Sequence, residues 1–406
     1  MLLIAGCGGS REKDVGPVPG SRLTIYSSMP LEGPDRDISV DVVRAERLAL
    51  REHGGRAGRY AIQLVSLDAA TPKAAEWDPA QISKNARRAA KDPDTIAYVG
   101  ELHPGSSAIS IPLLNEAGIL EVSPLDTAME LTTRTLAIAG SPLKYYPNLQ
   151  KVGRTFARVV PNDRVQADAL ALYMRQEGVE RLAILTDDDT NGLPLAATVK
   201  ASAKAAGITV VPDEDPIDAH AKDQSERAAK IAATGADAVF FVGSTRPGVV
   251  QLWRSLSLEE PSLQLYAPGA VVDAPFIAAI GSARGETRVT RPPLALSDYP
   301  PASRRFLASF RGVYGYTPAP ESLYGYEAMR AVLDAIDRGE AAAGNAALTR
   351  PDVVRAFFRT RARATVLGDY DIDPGGDTSL HQFGAYRAIG RQLRFVRPLD
   401  VAPTGG

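Results

Sequence analysis

A chain of 406 residues with 45% hydrophobic and 23% charged content can bury more than one core, so two lobes are expected. Its 46 basic and 48 acidic side chains leave a net charge of −2, which gives no reason to propose nucleic acid or an anionic membrane surface as a partner. No apolar run approaches the ~20 residues of a membrane span.

The single cysteine, Cys7, comes early. Ile4-Ala5-Gly6-Cys7 fits a bacterial lipobox, in which the signal is cut before the cysteine and that cysteine carries lipid. Gly8 to Ser21 is polar and rich in Gly and Pro, like a flexible tether, so the folded part is expected to start near Leu23.

From there strands and helices alternate, the pattern of a parallel sheet covered on both faces. Leu23 to Ser27 reads as a strand. Ile38, Val42, Ala45 and Ala49 form a helical stripe that stops at Gly54-Gly55, and Tyr60, Ile62 and Leu64 alternate as a strand does. Trp77 falls in a loop with Asp78-Pro79. A second series begins with a strand at Phe156 to Val160, a helix from Asp163 to Gln176 and a strand at Arg181 to Leu185. A helix closed by Gly207, a strand at Ile208 to Val211, a helix through Thr234 and a strand at Ala238 to Val242 follow. Tyr324 and Tyr326 lie on a later helix and read as packing residues.

The richest stretch is Ile96 to Thr132. A strand (Ile96 to Val99) runs into a loop with Gly105-Ser106-Ser107 and a helix closed by Gly118. A second strand, Ile119 to Val122, runs into Ser123-Pro124-Leu125-Asp126-Thr127. Ligands bind at the carboxyl ends of strands in such sheets, so both ends face one cleft. The hydroxyls of Ser106, Ser107 and Thr127, with the free N–H groups of a helix start, can hold a carboxylate without Arg or Lys. Thr127 and Glu130 also have capping-box spacing. The blander alternative is that these residues only cap helices.

Gly100-x5-Ser106-Ser107, Asn115-Glu116-Ala117-Gly118-Ile119-Leu120 and Ser123-Pro124-x2-Thr127-x2-Glu130-Leu131-Thr132 together resemble the first-lobe core of type I periplasmic binding proteins. The resemblance is strongest to the leucine/isoleucine/valine-binding group of ABC-transporter lipoproteins, in its actinobacterial branch. Asp68 to Pro79, Arg181 to Gly192, Gly243 to Arg254, Pro268 to Gly281 and Gly368 to Gly376 extend it in order along the chain. It implies an α/β fold of two Rossmann-like lobes joined by a three-strand hinge. Residues 22–158 plus 293–381 would form lobe 1 and residues 159–292 plus 382–398 lobe 2, behind a signal remnant and tether at 1–21. The chain would cross between lobes near residues 158, 292 and 381, and closure around ligand would be a rigid-body rotation.

The resemblance also marks departures. Trp77 stands where one cysteine of a disulfide would sit and His103 at its partner, so packing, including contact between these rings, is expected to hold the two loops; Trp77 either anchors its loop or stacks on ligand. Relatives place tyrosines at the positions of Asn191 and Thr245 and a carboxylate for the ligand amine at Gly269. In lobe 1 the serine aligned with Pro104 is missing, Ser106 stands two residues on, and Thr127 is retained. A ligand ammonium needs a partner, and Glu32, Glu101, Asp126 and Asp189 are the candidates. The expected ligand-binding set is therefore Ser106, Ser107, Leu125, Asp126, Thr127, Asp189, Asn191, Thr245, Gly269, Trp77 and His103.

Other motifs carry little. Asp187-x-Asp189-x-Asn191-Gly192 starts like a calcium loop, but Thr198 stands where the last ligand, a Glu, belongs. The four histidines have no partner at zinc-ligand spacing. Gly6-Cys7-Gly8-Gly9 lacks the strand and Lys of a phosphate loop, and there is no Gly-x-Ser-x-Gly. With no base and nucleophile or metal to pair, an enzyme is not expected. The expectation is an extracytoplasmic, lipid-anchored substrate-binding protein of an ABC importer. It would act as a monomer without cofactor or nucleic acid, its partners being a small polar ligand and a permease, and it would meet the membrane only through its lipid. The alternative is a sensor domain of the same fold signalling to a partner protein.

Overall fold

Adjacent residues of one strand enter different cores, which is how the first sheet is covered on both faces. In the computed structural model, which describes residues 18, 20–72, 77–187, 189, 192–212, 215–244 and 246–401, Leu23 and Ile25 join one buried cluster and Tyr26 another. The first series is β1 (Arg22–Met29), α1 (Arg36–Glu52), β2 (Arg56–Ala57), β3 (Tyr60–Asp68), α2 (Pro79–Lys91), β4 (Thr95–Val99), α3 (Ser107–Glu116), β5 (Leu120–Ser123), a short α4 (Leu149–Val152) and β6 (Phe156–Arg158). The sheet has the order β2-β3-β1-β4-β5-β6. All its pairings are parallel except the short edge strand β2.

The chain then crosses to a second sheet. Its elements are α5 (Asp163–Gln176), β7 (Arg181–Thr186), α6 (Leu193–Ala205), β8 (Thr209–Val210), α7 (Ser225–Ala233), β9 (Ala238–Val242), α8 (Pro247–Glu259), β10 (Gln264–Pro268), α9 (Ala274–Ala279) and β11 (Thr287–Arg291). The stretch after β11 returns as α10 (Pro301–Tyr314), α11 (Ser322–Ala343) and α12 (Arg350–Phe358), which pack on the first sheet. After the small hairpin β12 (Arg363–Ala364) and β13 (Asp369–Tyr370), the chain ends as β14 (Gln382–Ile389) and β15 (Gln392–Asp400) on the second sheet. That sheet runs β15-β14-β11-β10-β9-β7-β8, with β14 antiparallel to β11 and β15 antiparallel to β14.

Three passages therefore join the sheets: after β6, after β11 and before β14. They are tied to one another. Arg158 N donates to Gly376 O at 2.9 Å, Asn162 Nδ2 donates to Asp377 Oδ2 at 2.8 Å, and Gln166 Nε2 donates to Thr290 Oγ1 at 3.0 Å. The proximity of the crossings holds the strand ends of both sheets facing each other.

The stripe on α1 behaves as its periodicity predicts: Val42, Ala45 and Ala49 are buried and the helix ends at Gly54-Gly55, both with positive φ. The capping box at Thr127 and Glu130 does not form. Only a 3-10 turn, Met129–Leu131, follows β5, with no side-chain cap. Ser123 Oγ instead accepts from Leu125 N and Asp126 N, and Asp126 Oδ1 accepts from Ala128 N. Local side-chain bonds hold the chain from Leu125 to Ala128 as a loop, so no helix starts at Thr127.

Helix α11 crosses α1 at Gly325, whose missing Cβ would lie 2.6 Å from Val42 Cγ1 and 2.8 Å from Val42 O. Gly325→Ala should gain ~1 kcal/mol of helix propensity but force apart backbone that has no freedom to yield, at about 1–3 kcal/mol. A net loss of stability is expected in urea denaturation; a more stable variant would show that the two helices can separate without cost.

Candidate functional site

Between the two sheets lies a cleft of about 530 Å³, within the range of small-molecule sites. The first sheet's side contributes Asp35, Ile38, Trp77, Leu102, His103, Leu125 and Thr127. The second contributes Asp163, Gln166, Asp189, Gly192, Ser244, Arg246, Gly269, Asp273 and Arg291, and Glu321 at the start of α11 closes one edge. Of the residues expected from sequence, Trp77, His103, Leu125, Thr127, Asp189 and Gly269 line this space. Asn191 and Thr245 lie outside the described residues, as does Cys7.

Ser106, Ser107 and Asp126 are displaced from the expected role. Asp126 is fully buried behind the wall and its carboxylate accepts from Gly105 N and Ser107 N, both at 3.1 Å. The start of α3 thus already holds a carboxyl group, and it belongs to the protein. Ser106 Oγ donates to His103 O at 2.6 Å, and Ser107 Oγ accepts from Glu101 N at 3.3 Å. Spacing showed the hydroxyls and the helix start but not that a carboxylate from the next strand end would fill them.

The ammonium candidates sort in the same way. Glu101 is sealed below the surface, taking bonds from Ser28 Oγ at 3.0 Å and Tyr98 OH at 2.6 Å. Burial pushes its carboxyl up to about 8 despite those bonds. Glu32 does not line the cleft, whereas Asp189 does.

Four further groups on the wall were missed. Asp163 is buried at the cleft floor; its Oδ1 has no hydrogen-bond partner among the described residues, and its N donates to Thr127 O at 2.8 Å. Desolvation pushes its carboxyl up to about 8 while the Thr127 hydroxyl acts against this, so at neutral pH it is mainly a neutral donor. Asp35 lies 3.0 Å from His103 Nε2; burial alone would raise its pKa, but the His103 bond and charge, with Arg291, hold it low. Arg291 Nη2 donates to Glu321 Oε1 at 2.6 Å. The available sequence signals were a first-turn acid after Asn162 and an Arg at a strand end before Pro292-Pro293.

Asp187 organises the opposite loop, accepting from Asp189 N at 3.0 Å and Ser244 N at 2.9 Å. A Cβ at Gly243 would lie 2.3 Å from Asp187 Oδ1, so this acid serves the loop. Tyr324 is buried and donates to Pro292 O at 3.0 Å, as a packing residue near a crossing does.

Two sheets whose carboxyl ends face a shared cleft across three crossings define a two-lobed α/β binding protein. A family model described as periplasmic binding protein matches residues 27–388, and the chain belongs to that family. It is 30% identical over 234 residues to the Leu/Ile/Val-binding protein BraC3 of Rhizobium johnstonii, covering 56% of each chain. The crystal structure of a leucine-binding protein, LivK, from Thermotoga maritima matches with a TM-score of 0.73 at 19% identity, covering 93% of this chain and 99% of that one. A solute-binding protein of an ABC transporter from R. palustris in complex with benzoate matches at 0.68 and 18%, covering 94% and 98%. Among the described residues no helix is long and apolar enough to cross a membrane.

The buried acids set an unusual pH dependence. Glu101 and Asp163 at about 8 and Glu130 at about 7 all lie above their unfolded values near 4, chiefly through desolvation. A raised folded-state pKa means that the native state holds protons which the unfolded chain releases, so stability falls as pH rises from 5 to about 8.5. Unfolding free energy should be higher at pH 5.5 than at pH 8.5, and Glu101→Gln should flatten part of the slope. Rising stability over that window would show these groups ionised in the native protein.

Proposed function

We propose that this chain is the extracytoplasmic substrate-binding component of an ABC importer, which captures a small polar ligand, an amino acid or related carboxylate or amide, and delivers it to a permease. The observation that carries this is the cleft's composition, with walls drawn from both sheets beside three crossings. A ligand contacting both walls stabilises only the shut form and so reports its own capture. The names of the relatives point to leucine, isoleucine and valine, but this cleft offers a glycine at 269 and a neutral Asp163. Neither suits an ammonium, whose charge would fall to Asp189, the one sequence candidate that lines the cleft.

Thr127 is the first-lobe hydroxyl we assign to the ligand. A thermal-shift and calorimetric screen of amino acids, amides and small carboxylates, benzoate included, should yield a ligand bound more tightly than leucine. Thr127→Val should weaken that ligand by about 1–3 kcal/mol without altering the fold. Leucine as the tightest ligand would restore the plain branched-chain assignment, and unchanged affinity in the variant would remove Thr127 from the site.

The finer reading places the protein on the membrane through lipid at Cys7, supported by Ile4-Ala5-Gly6-Cys7 and the tether after it. Cys7→Ser should release the protein from the membrane fraction with ligand affinity intact. A variant that still pellets, from a parent that never incorporates labelled fatty acid, would refute the anchor.

A further inference from the structure

Arg291 occupies space that any side chain at residue 269 would take. A Cβ on Gly269 would lie 2.4 Å from Arg291 Cγ, 2.9 Å from Cδ and 3.1 Å from Nε, so the arginine stem rests directly on the glycine backbone. Its guanidinium is fixed on two further sides. Nη2 donates to the buried Glu321 at 2.6 Å, and Cζ lies 5.8 Å from the centroid of the Tyr386 ring. Tyr386 is itself held, its OH donating to Pro293 O at 2.7 Å. A guanidinium immobilised by a notch, a carboxylate and an aromatic face has already lost the rotamer freedom that ligand binding would otherwise cost.

Such an arginine is not satisfied by Glu321 alone. It has five N–H donors; among the described residues only Nη2 has a protein acceptor, and Nε and Nη1 have none. The side chain is 27% exposed, and it lines the cleft. Asp35 is near enough to feel the Arg291 charge, but it is engaged by His103 at 3.0 Å. The remaining edge faces the cleft, where a ligand can replace water as its acceptor. A planar, charged fork of donors matches a carboxylate better than an amide, whose single oxygen is neutral and whose nitrogen would meet donors with donors.

We propose that Arg291 is a specificity-determining residue of this cleft, and that the ligand it selects is a carboxylate held from the second-lobe wall by the guanidinium edge that Glu321 leaves open. This rests on the binding-protein reading above. Glu321 orients the guanidinium and also competes with the ligand for it. The glycine at 269 is a requirement of the same device, since a larger residue would expel the arginine.

The test is isothermal calorimetry on matched acid and amide pairs: benzoate and benzamide, glutarate and glutaramide, leucine and leucinamide. The acid of whichever pair binds should be favoured by roughly ten- to a hundredfold, the worth of a charge-assisted hydrogen bond. Arg291→Met should abolish that preference, and Gly269→Val should do so with the arginine still present. Glu321→Gln should keep acids at wild-type affinity or tighter, whereas a pair that merely braces the fold would make it weaker. Amides bound as well as acids by the wild type, or an acid preference that survives Arg291→Met, overturns the assignment while leaving the binding-protein reading intact. If neither these compounds nor the wider amino-acid screen bind the wild type, the reading of the cleft as a ligand site fails, and this inference with it. Should Arg291→Met not fold, the acid-to-amide ratio of the wild type and of Gly269→Val still decides.

Discussion

The arrangement of the cleft depends on one buried guanidinium. Arg158 ends β6, has no exposed surface, and donates to Asp126 O at 2.7 Å, Ala128 O at 2.8 Å and Thr132 Oγ1 at 3.2 Å, while Nε lies 2.9 Å from Asp377 Oδ1. A charge removed from water costs several kcal/mol unless it is paired and bonded, and here two carbonyls and a hydroxyl accept from it while the Asp377 carboxylate balances its charge. Those acceptors come from the loop after β5 and from the approach to the third crossing. Arg158 thus fixes the loop carrying Asp126 and Thr127, and ties it to the passage between sheets. With the loop fixed, the Asp126 carboxylate falls on the start of α3 and the Thr127 side reaches the cleft.

That dependence explains what was legible in the sequence. The alternation of apolar strands with helical stripes, the glycines that close helices and the order of the family landmarks all survive in the fold, because they reflect local preference and burial. Leu125, Thr127, Asp189, Gly269, Trp77 and His103 were placed on the cleft by strand-end position and by resemblance, and they line it. Ser106 and Ser107 were not resolved by the same logic. A hydroxyl at a helix start looks the same whether its partner is a ligand or a backbone carbonyl, and His103 O and Glu101 N were the partners. Asp163 and Arg291 were hidden for the opposite reason: a first-turn acid and a strand-end arginine are ordinary surface patterns until the second sheet folds against them.

Gly269 shows how a residue's meaning changes between levels. Read in sequence, it is a missing carboxylate. In the structure it is the seat of an arginine that arrives from β11, the neighbouring strand, where Ala267 pairs with Val289 and Pro268 with Thr290. The glycine and the arginine it seats meet in space, although 22 residues separate them in the chain. This coupling is invisible to spacing, because register between parallel strands brings the residues together.

The proposed closure would carry an electrostatic cost for the ligand to offset. Asp273 caps α9, accepting from Phe276 N at 2.6 Å, and its carboxyl is raised first by desolvation and in part by the charge of Asp35 on the other wall. Two acids facing each other across a cleft oppose its shutting, while Arg291, bonded to Glu321 at 2.6 Å and near Asp35, favours it. In that proposal the closed state depends on what fills the space between. A bound group shifts the equilibrium only by the contacts it makes in the shut form alone. Under the proposed assignment Thr127 on one side, Arg291 on the other and Asp163 at the floor would provide those contacts, so capture and closure would draw on the same few polar atoms.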